Sequence, residues 1–368
     1  MTALLIVAGE SSGDLHGANL ARALRELDPA VRLVGAGGPR MREAGVELVD
    51  DTTAYATIGA VDAFRQMHRY LRLYRLLGSA LLRWKPDACV LIDYPDFNLR
   101  FAERARDVGT PVIYYISPQV WAWRPGRIRA IKRLVRKMIV IFDFEEELYR
   151  REGVDAVFVG HPLLDLLPSA PRRSLREELR VETSPLLGLL PGSRPSQFRR
   201  LLPRMAKAAQ IIRGELPEAR FVVGCASKID PKQAMRPGLD VVWNRTPDVM
   251  ASSDLILTAS GTATIEAAIF GTPMIVTYVL NPLMVLAAKP FLRVRNYAMV
   301  NIVAGREIMP ELYQFKARPE ILAREALAIL REGRLPRMRT ELAEVRRRLG
   351  PPGASRRAAR EVLSAIRA

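Results

Sequence analysis

Short apolar runs alternate along the chain with longer stretches in which apolar residues return every three or four positions. The runs fall at Leu4–Ala8, Val31–Gly35, Ala88–Ile92, Val112–Ile116, Lys137–Phe142 and Val157–Val159. Their length predicts strands, and the spaced stretches between them predict helices. Continuous rather than alternating apolarity marks strands covered on both faces, as in a parallel sheet flanked by helices. A second series follows at Leu186–Leu190, Phe221–Gly224, Val241–Trp243, Leu255–Thr258 and Met274–Tyr278. Between the two series, "PLLDLLPSAPRRS" (residues 162–174) carries three prolines that interrupt any regular element. The pattern predicts an α/β protein of two Rossmann-like, doubly wound parallel-sheet domains, residues 1–165 and 175–345, with binding expected in the interdomain cleft at the strand C-terminal ends. Beyond Pro319 the pattern is helical and basic until Pro351, Pro352 and Gly353 break it. Residues 346–368 are then a basic helical tail expected to pack on the first domain or on a second subunit.

Composition changes this picture in a few respects. With 368 residues, 49% of them hydrophobic, the chain can build two cores. A formal charge of +17 calls for an acidic partner surface, either nucleic acid or anionic lipid. Cys89 and Cys225 lie far apart in apolar runs, as buried thiols in a reducing compartment do. His16, His68 and His161 have no zinc-like spacing, so no metal is expected. Met1–Ala8 lacks the basic and apolar regions of a signal peptide, which predicts a cytoplasmic protein. The apolar stretch from Tyr278, "YVLNPLMVLAAKPFLRV", is broken by Asn281, Pro282, Lys289 and Pro290 and is not expected to span a membrane.

Candidate chemistry sits where predicted strands end. "IVAGESSGDLHGA" (residues 6–18) reads as a strand-to-helix turn over Gly9–Asp14, but its glycines do not make GxGxxG, and Glu10 and Asp14 would repel a diphosphate. It predicts a substrate site for a hydroxyl-rich or amide-bearing ligand; acids that only favour the helix dipole are the alternative. Asp93 closes another strand and could accept a proton from an attacking hydroxyl, with Asp96 or Asn98 read as a helix cap. Two turns in the second domain have the opposite character. Gly192, Ser193 and Arg194 offer backbone N–H groups, a hydroxyl and a guanidinium, and Ser260, Gly261 and Thr262 open a helix. A diphosphate could sit there with Glu266 accepting from ribose hydroxyls, although a capped helix with a first-turn acid has the same sequence. "FDFEEE" from Phe142 reads as a helix start. Trp121 and Trp123 precede seven basic residues from Arg124 to Lys137, which fit RNA stacking or a solvated helix face. "FRQMHRYLRLYRLLGSALL" from Phe64 has the character of an interfacial membrane helix or of a surface helix over the core.

"AGESSGDLHGA", "IDYPDFN", "SPQVWAW", "FVGHPLLD", "LPGSR", "SGTATIEAA" and "NIVAGREIMPELYQ" occur in this order across about the first 315 residues. Together they resemble the lipid-A-disaccharide synthases. The resemblance implies a GT-B fold and an inverting, metal-independent glycosyltransferase with no cofactor. Such an enzyme joins UDP-2,3-diacylglucosamine to 2,3-diacylglucosamine 1-phosphate, at the inner face of the membrane, and releases UDP. It implies Asp93 as base, Glu10 on the acceptor side with Asp14 beside it, and Ser193, Arg194, Ser260, Gly261, Thr262 and Glu266 on UDP. Asn301, Glu311 and Gln314 match family positions near the donor. Gln197 departs from a glutamate common in the family, so any role needing negative charge there is in doubt. The implied partners are the two lipid substrates and an anionic membrane surface, with no nucleic acid and with room for a homodimer. Another GT-B enzyme, such as a UDP-N-acetylglucosamine 2-epimerase, and a basic RNA-binding protein are the alternative readings.

Overall fold

The computed structural model describes residues 1–55, 63–122, 124–167, 175–181, 183–227, 229–279 and 296–367. Trp123, residues 168–174 of the proline-rich stretch and nearly all of the apolar stretch after Tyr278 lie outside the described residues. The chain forms two compact units, one of Met1–Asp165 with the residues from Leu349 onward, the other of Leu166–Arg348.

The first unit holds a seven-stranded sheet of β1 (Ala3–Ala8), β2 (Arg32–Gly37), β3 (Glu47–Asp51), β4 (Ala88–Ile92), β5 (Val112–Tyr115), β6 (Lys137–Val140) and β7 (Ala156–Phe158). Its order is β3-β2-β1-β4-β5-β6-β7 and every pairing is parallel. The second unit holds β8 (Leu186–Leu190), β9 (Arg220–Cys225), β10 (Asp240–Trp243), β11 (Leu255–Ala259), β12 (Met274–Tyr278) and β13 (Glu311–Tyr313), in the order β10-β9-β8-β11-β12-β13, also all parallel. The strand order therefore reverses between β1 and β4, and again between β8 and β11. In each sheet a crevice opens beyond the C-terminal ends of those two strands. β3 and β13 went unread in the sequence because neither is a fully buried apolar run: β3 is acidic and half-exposed, and β13 has only three residues.

The opening turn is shorter than the sequence suggests. Helix α1 (Ser11–Leu27) begins straight after Glu10, so Ser11–Asp14 are helical. The later glycines serve close packing: a Cβ on Gly17 would stand 2.5 Å from the Met41 sulfur. Asp14 is buried, and its carboxylate accepts from the N–H groups of Gly38 (2.7 Å), Arg40 (3.2 Å) and Met41 (3.0 Å), at the start of α2 (Pro39–Glu43). Its oxygens are spent on a neighbouring helix N-terminus, which corrects the expectation that Asp14 shapes a substrate site.

Helix α3 (Ala63–Trp84) buries Leu73, Leu77, Ala80 and Leu81. Tyr70 and Tyr74 pack edge-on against Phe97 of α4 (Pro95–Asp107), with ring centroids 4.9 and 6.3 Å apart, and this ties α3 to the segment after β4. Two further helices follow β5 and β6, α5 (Arg127–Leu134) and α6 (Asp143–Arg151), the second starting within "FDFEEE" as expected.

The C-terminal helix Ala354–Arg367 packs on α1. Asp165, almost two hundred residues earlier, accepts from the N–H groups of Gly353 (2.5 Å), Ala354 (3.2 Å) and Ser355 (2.9 Å), and Arg357 donates to the carbonyl oxygens of Val159, Pro351 and Pro352. One carboxylate thus caps a helix from far along the chain. Asp165→Ala is expected to cost about 1 kcal/mol, the worth of an N-cap. Urea unfolding should show the loss, and amide exchange should rise at the start of the C-terminal helix.

Candidate active site

The crevice of the second unit is a cavity of about 420 Å³ whose lining includes Gly192, Ser193, Arg194, Gln197, Ser260, Gly261, Thr262, Glu266 and Tyr278. Its walls are the turns after β8 and β11, the two strands at which the order reverses. Gly192 has φ +103° and Gly261 φ +141°, backbone that disfavours any other residue. A Cβ on Gly192 would stand 2.4 Å from the Gln197 side-chain oxygen, so Gln197 lies across that turn as a neutral amide. The helix Ala263–Phe270 starts from Thr262 without a side-chain cap; Thr264 and Ile265 donate their N–H groups to the carbonyls of Gly261 and Thr262, which leaves the N–H groups of Gly261, Thr262 and Ala263, with no backbone acceptor among the described residues, for an anion. Glu266 lies one turn in. Desolvation raises its pKa, and no donor among the described residues reaches its carboxylate. An unpartnered acid beside free N–H groups and an arginine suits a ligand that joins an anionic group to hydroxyls.

Asn301, Glu311 and Gln314 do not line this cavity. Asn301 is fully buried with its amide engaged: Nδ2 donates to the Met309 carbonyl (2.8 Å) and Glu311 Oε1 (2.7 Å), and Oδ1 accepts from the N–H groups of Ile308 and Met309. Glu311 also accepts from the N–H groups of Tyr297 (2.9 Å) and Ala298 (3.0 Å). Ser260 Oγ donates to the Tyr297 carbonyl at 3.3 Å. The pair therefore clamps the backbone behind the Ser260 turn. Gln314 is half-buried with φ +54° just after β13.

The crevice of the first unit joins Gly9 and Glu10, after β1, to Asp93 and Tyr94, after β4; Ala8 and Ile92 are register partners. Gly9 permits this approach, since a Cβ there would stand 2.6 Å from the Tyr94 ring. Asp93 and Tyr94 both have left-handed backbone, φ +46° and +47°, which costs of the order of 1 kcal/mol or more each. The strain is held by hydrogen bonds: Asn98 Nδ2 (2.8 Å) and the Tyr114 hydroxyl (2.5 Å) both donate to the Asp93 carbonyl, and the Asp93 N–H donates to the Tyr115 carbonyl (3.1 Å). The Asp93 side chain is open to solvent yet hemmed in by protein. Desolvation, helped by the Glu10 carboxylate and opposed by a hydrogen bond from the Tyr94 N–H, pushes its pKa up to about 6.

Neither Asp96 nor Asn98 caps α4. Tyr94 is the N-cap residue and no side chain caps it. Asn98 is buried and reaches back to the carbonyls of Ile92 and Asp93, whereas Asp96 is exposed and pairs with Arg124 (3.0 Å) and Arg127.

Glu145 and Tyr278 were not singled out from sequence. Tyr278 ends β12 beside the cavity, and the rule that strand C-terminal ends carry ligand contacts would have found it. Glu145, in the first turn of α6, is 2% exposed; its Oε1 accepts from Ser117 Oγ (2.8 Å) and Trp121 Nε1 (3.2 Å), and Oε2 completes no hydrogen bond. Desolvation pushes its pKa up to about 7, against hydrogen bonds that lower it. Nothing in "FDFEEE" separates this buried acid from its exposed neighbours.

The family model for lipid-A-disaccharide synthetase matches residues 4–364. Lipid-A-disaccharide synthase of Syntrophus aciditrophicus (strain SB) is 43% identical over 376 residues, covering 99% of this chain and 98% of that protein. The enzyme of that name from Anaeromyxobacter dehalogenans (strain 2CP-1 / ATCC BAA-258) is 42% identical over 377 residues, with 99% and 97% covered. Among solved structures, the S. aureus MnaA–UDP complex aligns with a TM-score of 0.68 at 12% identity, covering 100% of this chain and 97% of that one. The calicheamicin glycosyltransferase CalG4 aligns at 0.64 with 18% identity, covering 100% and 98%. Two parallel-sheet units with these neighbours have the GT-B fold. The chain belongs to the lipid-A-disaccharide synthase family and is a glycosyltransferase.

Proposed function

We propose that the chain transfers 2,3-diacylglucosamine from its UDP derivative to the 6-hydroxyl of 2,3-diacylglucosamine 1-phosphate, with Asp93 as the base. The observation that carries the assignment of Asp93 is its place at the reversal between β1 and β4, with a carboxyl whose pKa of about 6 leaves it ionised, yet basic, near neutrality. In a single displacement the Asp93 carboxylate takes the proton from the 6-hydroxyl as its oxygen attacks the anomeric carbon. The bond from that carbon to the β-phosphate oxygen breaks, and UDP leaves with the electron pair. Configuration inverts and the product is the β-1,6 disaccharide. The second unit is the donor side: Arg194, Ser193 and the helix start at Ser260–Thr262 take the diphosphate, and Glu266 takes the ribose hydroxyls. Glu10 belongs to the acceptor side, where its charge raises the basicity of Asp93. Asn301 and Glu311 act through the backbone that they hold.

The outer face of α3 supports a peripheral membrane role at the cytoplasmic leaflet. Met67, Leu71 and Leu82 are exposed apolar residues on a helix that also exposes Arg72 and Arg75. Such a face inserts shallowly among headgroups while arginine meets lipid phosphate. Among the described residues no helix is long and apolar enough to cross a membrane.

Asp93→Asn is expected to lower kcat by about 10²–10⁴-fold while UDP binding by calorimetry stays unchanged. In the unsubstituted protein kcat/KM should fall as pH drops through about 6, because the base is then protonated. A raised carboxyl pKa disfavours the folded state as pH rises through it, so Asp93→Asn should be no less stable than the parent above pH 6; full turnover in this variant would remove Asp93 as base. Glu266→Ala is expected to weaken UDP by roughly tenfold, the worth of a charge-assisted hydrogen bond. It should scarcely affect 2′,3′-dideoxy-UDP, and equal losses for both nucleotides would overturn the ribose assignment. Met67→Glu with Leu71→Glu should reduce co-sedimentation with phosphatidylglycerol vesicles and leave UDP affinity intact.

A further inference from the structure

The chain between β5 and α5 is tethered at both ends by carboxylates that lie outside it. At its start, Glu145 of α6 receives Ser117 Oγ and Trp121 Nε1 on one oxygen. At its far end, Arg124 and Arg127 converge on Asp96, three residues past Asp93 on the next strand connection. Tyr70 of α3 donates to the Asp96 carbonyl at 3.2 Å, so the membrane-type helix, the segment after Asp93 and this connection form one hydrogen-bonded group. The Glu145 tether is costly. The carboxyl is buried, one oxygen has no hydrogen bond, and an apolar residue of similar size would avoid the desolvation penalty. Trp121 is half-buried, its ring edge-on to Phe144 with centroids 5.4 Å apart, so the tether fixes a partly exposed indole. The Tyr149 hydroxyl stands 3.5 Å from the Pro118 carbonyl and adds a second hold from α6.

We propose that Glu145 is a positioning residue for the acceptor: through Ser117 and Trp121 it fixes the start of the β5–α5 connection, which Asp96 holds at its other end beside Asp93. This rests on the reading of Asp93 as the acceptor's base. The connection leaves the C-terminal end of β5, the strand next to β4, and so borders the crevice that holds Asp93. Its chemistry is that of a wall for an amphiphile: Val120 and Ala122 anchor it in the core, while Trp121 offers aromatic surface to an acyl-sugar. None of these residues belongs to the donor cavity.

The test is steady-state kinetics with both substrates varied, on Glu145→Gln, Glu145→Ala, Trp121→Phe and Asp93→Asn. Glu145→Ala is expected to raise the acceptor KM about tenfold or more, in line with the loss of charge-assisted hydrogen bonds, with the donor KM and UDP affinity within about twofold. Glu145→Gln, which keeps an acceptor oxygen, should recover part of that loss. Trp121→Phe, which removes one bond of the tether and is unlike Glu145→Ala in leaving no buried hole, should raise the acceptor KM in the same direction. The tryptophan emission that Trp121→Phe removes should shift to longer wavelength in Glu145→Ala as the indole is released to water. Unchanged acceptor KM in Glu145→Gln and Trp121→Phe would overturn the proposal, as would equal rises in both KM values. An active Asp93→Asn would instead overturn the base assignment, and the two failures are told apart by which variant keeps its kinetics.

Discussion

The reversal of strand order between β1 and β4, repeated between β8 and β11, is the constraint on which the chemistry depends. Parallel strands must be joined by crossovers, and where successive crossovers go opposite ways two strand ends are left uncovered side by side. The candidate site residues hang from those four ends: Gly9 and Glu10, Asp93 and Tyr94, the Gly192–Arg194 turn, and the Ser260–Thr262 turn. The sheets themselves are ordinary buried apolar strands. They hold these turns in place because the strand before each turn is paired with a neighbour on both sides.

The two crevices are built with opposite electrostatics. The first gathers carboxylates, and proximity together with desolvation makes Asp93 a better base than a free aspartate. The second offers N–H groups, hydroxyls and Arg194, with a single acid, Glu266, one helical turn into the helix that starts at Ala263. In the proposed reaction a proton is taken in the first crevice and a diphosphate is bound in the second, and one sign of charge would not serve both. The left-handed backbone at Asp93 and Tyr94 is maintained by Asn98 and Tyr114, which both donate to the Asp93 carbonyl, Asn98 also to that of Ile92. Strain of this kind persists only where the surroundings over-determine it.

Polar residues were the hardest to assign from sequence. Glu10, Asp14, Asp96, Asn98, Glu145 and Asn301 all lie in stretches that look functional, yet only the fold separates their tasks. Asp14 serves α2, Asn98 serves the Asp93 carbonyl, and Asn301 with Glu311 serves the backbone behind Ser260. Asp165 is the extreme case, capping a helix far along the chain. A side chain three residues from a catalytic candidate can face the core, a neighbouring helix or solvent, and spacing alone does not say which.

Sequence by itself determined the strands, because a strand buried on both faces must be apolar without interruption: Ala88–Ile92, Leu186–Leu190 and Met274–Tyr278 stand where the pattern puts them. It also placed the glycine turns after β8 and β11, because φ above +100° at Gly192 and Gly261 leaves little choice of residue. The edge strands β3 and β13, the helical start at Ser11 and the partner of each buried acid were decided only by tertiary structure. Edge strands need no continuous apolar run, a helix start depends on what receives its N–H groups, and a carboxylate's partner is whichever donor the fold brings within about 3 Å.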